Sequence, residues 1–410
     1  MRDRWKMTAF SPASPTGARR IELIVILGAL TAAAPISIDL YLPALPTIAH
    51  AFGDSIGAVE QTLASFFLGF ALGQALFGPL ADRFGRKPPL LWGIGIYVLT
   101  CVACAFAPSV GALVALRFVQ AVSACAGAVI ARACVRDLFP ADEAPRVFAT
   151  MMLVMGVAPL LAPLAGGYLL VWFGWRAIFL AQGTLGLAAL IAAMLRLHES
   201  HGGAHRPLHP ASLLIDFARI ARDRRFIGYV LAAAASSGGM FAYVTASPHV
   251  FIDLFHVPSQ AYGWFFGANA LALIAMSQLG AHLLRRYPAQ HILIAAQTGQ
   301  TVAGALLLLF ALTGIGGLWG LAPCLLLYVG LNGAIGPTSS GLAMNPFALN
   351  AGMASALLGT LQFGGGTLTS LTVGVLPGNG VVAMAAVIAA CGVGGLILNL
   401  LLSPRAASTS

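Results

Sequence analysis

Residues 78–87 read Gly78-Pro-Leu-Ala-Asp-Arg-Phe-Gly-Arg-Lys87, a short charged turn between two long apolar runs. Each run has about twenty residues, which is enough for a helix to cross roughly 30 Å of hydrocarbon. Gly85 permits a tight reversal of the chain, and Asp82 with its basic neighbours can form a compact charge cluster. The turn therefore predicts two membrane-spanning helices that are joined at a water-exposed face.

Similar apolar runs recur along the whole chain. Of its 410 residues, 59% are apolar and 9% are charged, whereas roughly a quarter of a soluble domain is charged. The predicted spans are 21–44, 57–80, 89–107, 110–135, 146–170, 176–196, 226–247, 260–283, 289–312, 317–340, 350–373 and 380–402. The predicted fold class is an all-α membrane protein with twelve transmembrane helices in two pseudo-symmetric six-helix halves around a central cavity.

The longest polar stretch divides the chain between these halves. The expected divisions are an N-terminal tail at 1–20, a first half at 21–196, a central loop at 197–225, a second half at 226–402 and a C-terminal tail at 403–410. The central loop contains four histidines, His198, His201, His205 and His209. They have neither a helical register nor a cysteine partner, so a solvated linker is favoured over a metal site.

The placement of basic residues predicts the orientation. They precede the first span and fill alternate connections, while the remaining connections are nearly bare except for Arg176. This positive-inside pattern places both termini in the cytoplasm, and it accounts for the net charge of +9 without nucleic acid. The polar start and the length of the first run argue against a cleaved signal peptide. The six cysteines all fall in spans and are predicted to pack as small residues, not to form disulfides.

Two charged residues are predicted to lie inside spans. Asp39 is near the outer end of span one and is the only acidic residue clearly within a span, and Arg117 lies at a similar depth in span four. An ionisable side chain at such a position marks a functional site and needs a partner or a wet cavity. We expect Arg117 to be the partner of Asp39 and Asp39 to load and release protons. A structural carboxylate that stays paired with the arginine is the alternative.

The turn between spans two and three resembles the G-x-L-a-D-R-x-G-R-[KR] signature of the major facilitator superfamily. The matching residues are Gly78, Asp82, Arg83, Gly85 and Arg86, and residues 280–286 hold a degraded copy in the second half. We expect a gating role for this cluster, because span eleven begins on the cytoplasmic side near Asn350 and its positive end attracts a nearby carboxylate. Asp82, braced by Arg86, would then hold the two halves closed on the cytoplasmic side. A topology signal alone is the alternative.

Two further elements resemble motifs of that superfamily. Arg117 and Gln120 match an R-x-x-Q element of its proton-driven members. Span five resembles the antiporter motif, with alanine at two of the usual glycine positions; the matching residues are Gly156, Pro159, Pro163, Gly166 and Gly167. Antiport is therefore implied, and close helix packing without a transport role is the alternative.

Four segments narrow the resemblance to the bicyclomycin/chloramphenicol-resistance family of drug-efflux transporters. They are Ile38–Pro46, Ala131–Leu138, Ala246–Pro248 and Phe266–Ala270. The resemblance implies a protein of the bacterial inner membrane that exports drug-like molecules in exchange for protons, without a cofactor or a metal. An exporter or importer of a single metabolite, such as a sugar, nucleoside or amino acid, is the main alternative. A membrane enzyme or sensor is disfavoured because the sequence has no P-loop and no hydrolase motif.

Substrate contacts are expected among polar, aromatic and flexible residues within the spans, because promiscuous pockets combine apolar walls with a few polar points. The candidates are Tyr41, Phe66, Phe70, Gln74, Gln120, Met151, Met155, Met240, Tyr243, Asn269 and Gln362. The sequence indicates no second buried carboxylate, so neutral or zwitterionic substrates are expected. We predict a monomer whose partners are its small-molecule substrate, protons and the lipid bilayer.

Overall fold

The protein is described by a computed structural model that covers residues 17–140, 143–200, 218–376 and 380–402. Twelve long helices, and no strands, occur within these residues. They are α1 (Gly17–Asp39), α2 (Ile56–Phe84), α3 (Lys87–Ala105), α4 (Val110–Leu138), α5 (Ala144–Phe173), α6 (Trp175–Arg196), α7 (Arg224–Pro248), α8 (Ser259–Leu283), α9 (Ala289–Thr313), α10 (Gly317–Met344), α11 (Ala351–Val375) and α12 (Gly380–Leu402). Each predicted span overlaps one of them.

Short helical segments connect several of the long helices. Leu42–Ala44 and Leu45–Phe52 follow α1, His249–Leu254 follows α7, and Asn345–Asn350 precedes α11. Three of the long helices begin at a capping side chain: Ser55, Ser109 and Asp223 accept hydrogen bonds from the backbone N–H groups of Ala58, Ala112 and Phe226 at the starts of α2, α4 and α7. These caps satisfy backbone donors that a helix end leaves without partners.

Eleven candidate membrane spans occur in the described part of the chain, each long and apolar enough to cross a bilayer. Only α11 lies outside this set, because its sequence is rich in glycine, threonine and serine. It packs against α2 and α7. Small and hydroxyl-bearing residues favour close helix–helix contacts within a membrane, so the composition of α11 fits its place between the two halves.

The two halves repeat one packing pattern. In the first half, α2 packs on α4, α3 on α6, and α1 on α5; in the second half, α8 packs on α10, α9 on α12, and α7 on α11. Adding six to each helix number converts the first set into the second. The halves meet where α2 packs on α11 and α5 on α8, and we call this interface the seam. The predicted pair of pseudo-symmetric six-helix halves is confirmed.

The helices alternate in direction, so their connections fall on two faces. The basic face carries residues 84–87, 138–140, 196–200 and 284–288, and the opposite face carries residues 53–55, 106–109 and 314–316. The six cysteines are free, and each except Cys391 is buried, which confirms their predicted packing role. Of the four loop histidines, His198 is described, and His201, His205 and His209 lie outside the described residues.

Candidate functional site

Arg117 on α4 is completely buried, with 0% of its surface exposed. Its guanidinium lies over the rings of Phe66 and Tyr41, at 4.3 and 4.6 Å from their centroids, and 6.0 Å from that of Phe179. Its Nη1 donates to Gln120 Oε1 at 2.7 Å, whereas Nε and Nη2 have no hydrogen-bond partner among the described residues. An aromatic cage thus surrounds the cation, because aromatic faces attract positive charge most strongly where water is excluded.

A buried hydrogen-bond network extends from Gln120 to α1. Gln120 Nε2 donates to Gln182 Oε1 at 3.1 Å and to Cys101 Sγ at 3.0 Å. Gln182 in turn donates to the backbone carbonyl of Ser37 at 3.4 Å, and the Ser37 hydroxyl lies 2.8 Å from that of Tyr97. The network joins α1, α3, α4 and α6 and holds the Arg117 segment in place. Sequence reasoning missed Gln182 and Tyr97, because no local pattern indicates that spans three and six meet.

Asp39 is the last residue of α1 and is 6% exposed. The turn Leu42–Ala44 that follows it packs against α7 and α8 of the second half, the helices that carry Tyr243 and Tyr262 near its carboxyl group. No hydrogen bond or ion pair joins it to a described residue. The expected pairing with Arg117 is absent from this conformation, because α1 ends at Asp39 and the following turn places the ring of Tyr41, not a carboxylate, on the guanidinium.

Two tyrosines with hydrogen-bonded hydroxyls face Asp39 from the second half. Asn269 Nδ2 donates to Tyr243 Oη at 2.7 Å, and the Ser247 hydroxyl lies 2.8 Å from that of Tyr262. The predicted substrate candidates Tyr243 and Asn269 are therefore neighbours of the predicted proton site. Tyr262 is a further member that sequence reasoning did not single out.

The other substrate candidates separate into two groups. Tyr41, Phe66 and Gln120 are fully buried around Arg117 within the first half. The remaining ones are distributed along the spans. Two of them contact α11: the ring centroid of Phe70 lies 4.6 Å from that of Phe363, and the side chain of Gln74 contacts Gly359. Met151 is 2% exposed, and Met240 and Gln362 are half-buried. The side chain of Met155 lies outside the described residues.

An aromatic cluster crosses the seam near the middle of the helices. The ring centroids of Phe67 and Phe241 are 4.6 Å apart, and those of Phe241 and Phe363 are 5.3 Å apart. These residues belong to α2, α7 and α11, so the cluster joins the two halves. Aromatic pairs at such distances stabilise an apolar contact beyond the area that they bury.

The signature turn on the basic face forms an ion-pair network. Arg86 Nη1 lies 2.6 Å from Asp82 Oδ1, and Arg86 Nε lies 2.8 Å from Asp137 Oδ2 at the end of α4. The carboxylate of Glu199 accepts the backbone N–H groups of Arg86 and Lys87 at 2.8 and 3.0 Å. Glu199 therefore caps the start of α3, a role that sequence reasoning missed because the residue lies in the polar central loop.

The glycines and the aspartate of the signature have different environments, because Gly78 and Asp82 lie in the last turns of α2 and Gly85 follows the end of that helix. Gly85 has φ +87°, and a side chain there would collide with the Glu199 carboxylate, whereas a side chain at Gly78 would meet open space. The side chain of Asp82 is 60% exposed, and that of Asn350, its expected neighbour, lies outside the described residues. Arg83 lies over the ring of Phe84 at 5.1 Å.

The antiporter-like stretch of α5 lies where the helix touches both halves. Pro159 and Pro163 are inside the helix. Gly166 packs against the carbonyl of Leu40, the residue that follows Asp39, while Gly167 packs against Ser259 at the start of α8. A Cβ at Gly156 would lie 3.3 Å from the side chain of Ile274 on α8. This stretch therefore links the Asp39 segment directly to the seam.

Glu60 corrects the prediction that Asp39 is the one buried carboxylate. It is 4% exposed and lies just over one turn into α2. The sequence analysis counted Asp39 as the only acidic residue clearly within a span and expected no second buried carboxylate. That expectation was wrong because the helix Leu45–Phe52 and α11 both pack against α2 and bury Glu60. The argument for neutral substrates from a single buried carboxylate therefore loses its premise.

A family model described as the Major Facilitator Superfamily matches residues 27–370. The chain belongs to this superfamily. The bicyclomycin resistance protein homolog of Haemophilus influenzae is 36% identical over 346 residues, which are 84% of this chain and 87% of that protein. The chloramphenicol resistance protein of Pseudomonas aeruginosa is 29% identical over 364 residues, 87% of this chain and 84% of that protein. The predicted resemblance to the bicyclomycin/chloramphenicol-resistance family is confirmed.

Solved structures show the same fold at lower identity. The crystal structure of a D-xylose-proton symporter superposes with a TM-score of 0.73 at 17% identity, covering 94% of this chain and 98% of that one. At this identity the likeness concerns the fold alone. Together with the helices described above, it shows that this chain has the major facilitator fold.

Proposed function

We propose that this transporter exports drug-like molecules from the cytoplasm in exchange for protons. The observation that carries the proposal is the Asp39 carboxyl group, which is buried between the halves and has no hydrogen bond or ion pair with a described residue. A drug-like substrate is supported by the relatives named for bicyclomycin and chloramphenicol resistance. This chain matches both relatives over more than four fifths of their length, so the comparison includes both six-helix halves.

Asp39 and Arg117 have complementary roles in this proposal. A guanidinium stays protonated throughout the physiological pH range, so Arg117 supplies a fixed positive charge inside the first half. Asp39 then gains and loses charge at the edge of the second half, beside Tyr243 and Tyr262. A proton on Asp39 changes how strongly the halves attract each other there. The proton gradient can therefore bias the equilibrium between conformations, because binding shifts a population only through a difference in affinity.

The orientation belongs to the same proposal. We assign the basic face to the cytoplasm, as the positive-inside rule requires, which places both termini there. Substrate enters from the basic face of a monomer and leaves at the opposite face. The antiporter-like stretch of α5 supports exchange, since Gly166 contacts the residue after Asp39 and Gly167 contacts α8 across the seam.

The test is accumulation of chloramphenicol by everted membrane vesicles with an imposed proton gradient. Asp39→Asn keeps the shape of the side chain but cannot carry a removable proton. We expect this variant to insert at the wild-type level and to lose at least about 90% of uphill accumulation. Asp54→Asn, an exposed carboxylate on the opposite face, is the matched control and should transport normally. Wild-type accumulation by Asp39→Asn would refute the role of Asp39, and absence of any accumulation by the wild-type protein would refute proton-driven drug export.

A further inference from the structure

A second carboxyl group lies in the seam, close to the opposite face. Glu60 projects from α2 towards the end of α11, and its side chain is 4% exposed. A Cβ built at Gly374 of α11 would lie 3.5 Å from Glu60 Oε2 and 3.3 Å from the carbonyl oxygen of Gly57. The backbones of Gly57 and Gly374 are in direct contact. The start of α2 and the end of α11 thus touch without intervening side chains, and Glu60 is enclosed at that contact.

The charged groups around Glu60 do not neutralise it. Its carboxyl group forms no ion pair or hydrogen bond with a described residue. The elements packed against α2 carry these ionisable residues towards the same face: His50 on Leu45–Phe52, Cys101 and Cys104 on α3, Arg117 on α4 and Tyr243 on α7, while α11 carries none. Tyr41, in the turn after α1, reaches α2 through its hydrogen bond with Thr62. Arg117 is enclosed by its own aromatic cage, and His50 is exposed.

An enclosed carboxyl group of this kind responds to the separation of the two helices. A charged carboxylate without a partner is costly in an apolar contact, whereas the neutral acid needs much less solvation. When α2 and α11 separate, water reaches the group and the charged form is no longer penalised. The closed contact therefore binds the proton more tightly than the open one. Because a ligand shifts a conformational equilibrium towards the conformation that binds it better, the bound proton favours the closed contact and its loss favours the open one.

We propose that Glu60 is a second proton-binding site. While Glu60 holds a proton, the α2–α11 contact near the opposite face stays closed. Loss of that proton to the outside favours opening of the contact. Glu60 lies between α2 and α11, whereas Asp39 lies beside α7 and α8. One hydrogen bond connects the two regions: the hydroxyls of Tyr41 and Thr62 are 3.0 Å apart, and each residue is two positions after its carboxylate. The place of Glu60 in the transport cycle rests on the proposed function, but its effect on opening does not.

The test measures this opening directly as a function of pH. Ala51, in the helix Leu45–Phe52 just before α2, and Val375, the last residue of α11, are both exposed. Spin labels on cysteines at these two positions report the distance across the α2–α11 contact in the full chain in nanodiscs. The protein without the added cysteines is the labelling control, because all of its six native cysteines except Cys391 are buried. Distances are recorded in the absence of substrate between pH 5 and pH 9.

In the wild type we expect the ratio of open to closed molecules to rise with pH, by up to about tenfold per pH unit for a single proton. Glu60→Gln should stay closed at every pH, and Glu60→Asp, which retains an acid, should keep the response. Asp54→Asn, which removes an exposed carboxylate near the same face, should respond as the wild type does. A flat response of the wild type, or a normal response of Glu60→Gln, would overturn the proposal. Failure of vesicle accumulation alone would count against proton-driven export and leave this measurement unaffected.

Discussion

The guanidinium of Arg117 lies 4.6 Å from the ring centroid of Tyr41, two residues beyond Asp39 in the chain. The cation therefore packs on the ring of a residue close to Asp39 in the chain, but it does not pair with the Asp39 carboxyl group. The rings and one hydrogen bond to Gln120 offset part of the cost of burying the charge. Two of its nitrogens, Nε and Nη2, still lack partners among the described residues, so part of the cost of burying the charge is not offset.

The first prediction separates the charge of Arg117 from its packing. Arg117→Met removes the charge but keeps an unbranched, flexible, shorter apolar chain. Because an unpaired buried charge is costly, we expect this variant to unfold at a temperature equal to or above that of the wild type. It should nevertheless lose uphill accumulation of chloramphenicol in everted vesicles. Thermal unfolding in detergent and the vesicle assay measure the two effects.

Two further substitutions complete this comparison. Arg117→Ala leaves a cavity among three aromatic rings and should lower the free energy of unfolding by about 3 kcal/mol. Arg117→Lys keeps the charge but not the planar fork, and its transport should lie between those of the wild type and Arg117→Met. Normal transport by Arg117→Met would show that the charge has no role.

The fold could be predicted from the sequence because the membrane limits the possibilities. Each span must satisfy its backbone hydrogen bonds within one helix, so twenty apolar residues suffice to place it. Asp39 and Arg117 could be found in the same way, since a charge in an apolar run is conspicuous. Their partners could not. Gln182 lies in α6, far from Gln120 in sequence, and only the packing of the helices brings the two amides together.

Boundary residues show the other limit of sequence reasoning. Glu60 lies near the start of a span, where exposure to water is the reasonable expectation, and the packing of α11 against α2 reverses it. Glu199 lies in a polar loop with no motif of its own, yet its carboxylate caps α3. The helix that buries Glu60 and the helix start that Glu199 caps both lie far away along the chain. A single sequence does not indicate such contacts.

The second prediction concerns the cap that Glu199 supplies to α3. Glu199→Ala removes an anion from the positive end of a helix and leaves two backbone donors without their acceptor. We expect a loss of about 1 kcal/mol in the free energy of unfolding and faster hydrogen exchange at residues 86 and 87. Glu22→Ala is the control, because Glu22 pairs with the 62% exposed Arg196 and such surface pairs contribute little. Equal effects of the two variants would contradict the capping role.

The third prediction tests the orientation. Cysteines at His282 and Asp54, which are exposed near the basic and opposite faces, should react with a membrane-impermeant maleimide from different sides. In intact cells we expect labelling at residue 54 only, and in everted vesicles at residue 282 only. The orientation follows from the basic residues that flank the spans on one face. Labelling of residue 282 in intact cells would reverse the assignment.

The fourth prediction compares two glycines that sequence motifs treat alike. Gly166→Ala places a methyl group against the carbonyl of Leu40, and neither helix can yield without shifting the Asp39 segment. We expect a loss of about 2 kcal/mol in the free energy of unfolding, typical of overpacking, together with reduced chloramphenicol accumulation. Gly78→Ala meets open space within α2 and should gain about 0.5 kcal/mol, because alanine is the better helix former.

Transport by Gly78→Ala then identifies what this glycine is for. Normal accumulation would mean that Gly78 contributes only helix geometry, while stable protein without accumulation would mean that α2 approaches another helix at Gly78 in a different conformation of the cycle. Thermal unfolding and vesicle accumulation, measured on the same preparations, distinguish these outcomes. The structural argument itself fails if Gly78→Ala is less stable than Gly166→Ala, because the contacts at the two positions would then not determine the cost of the added methyl group.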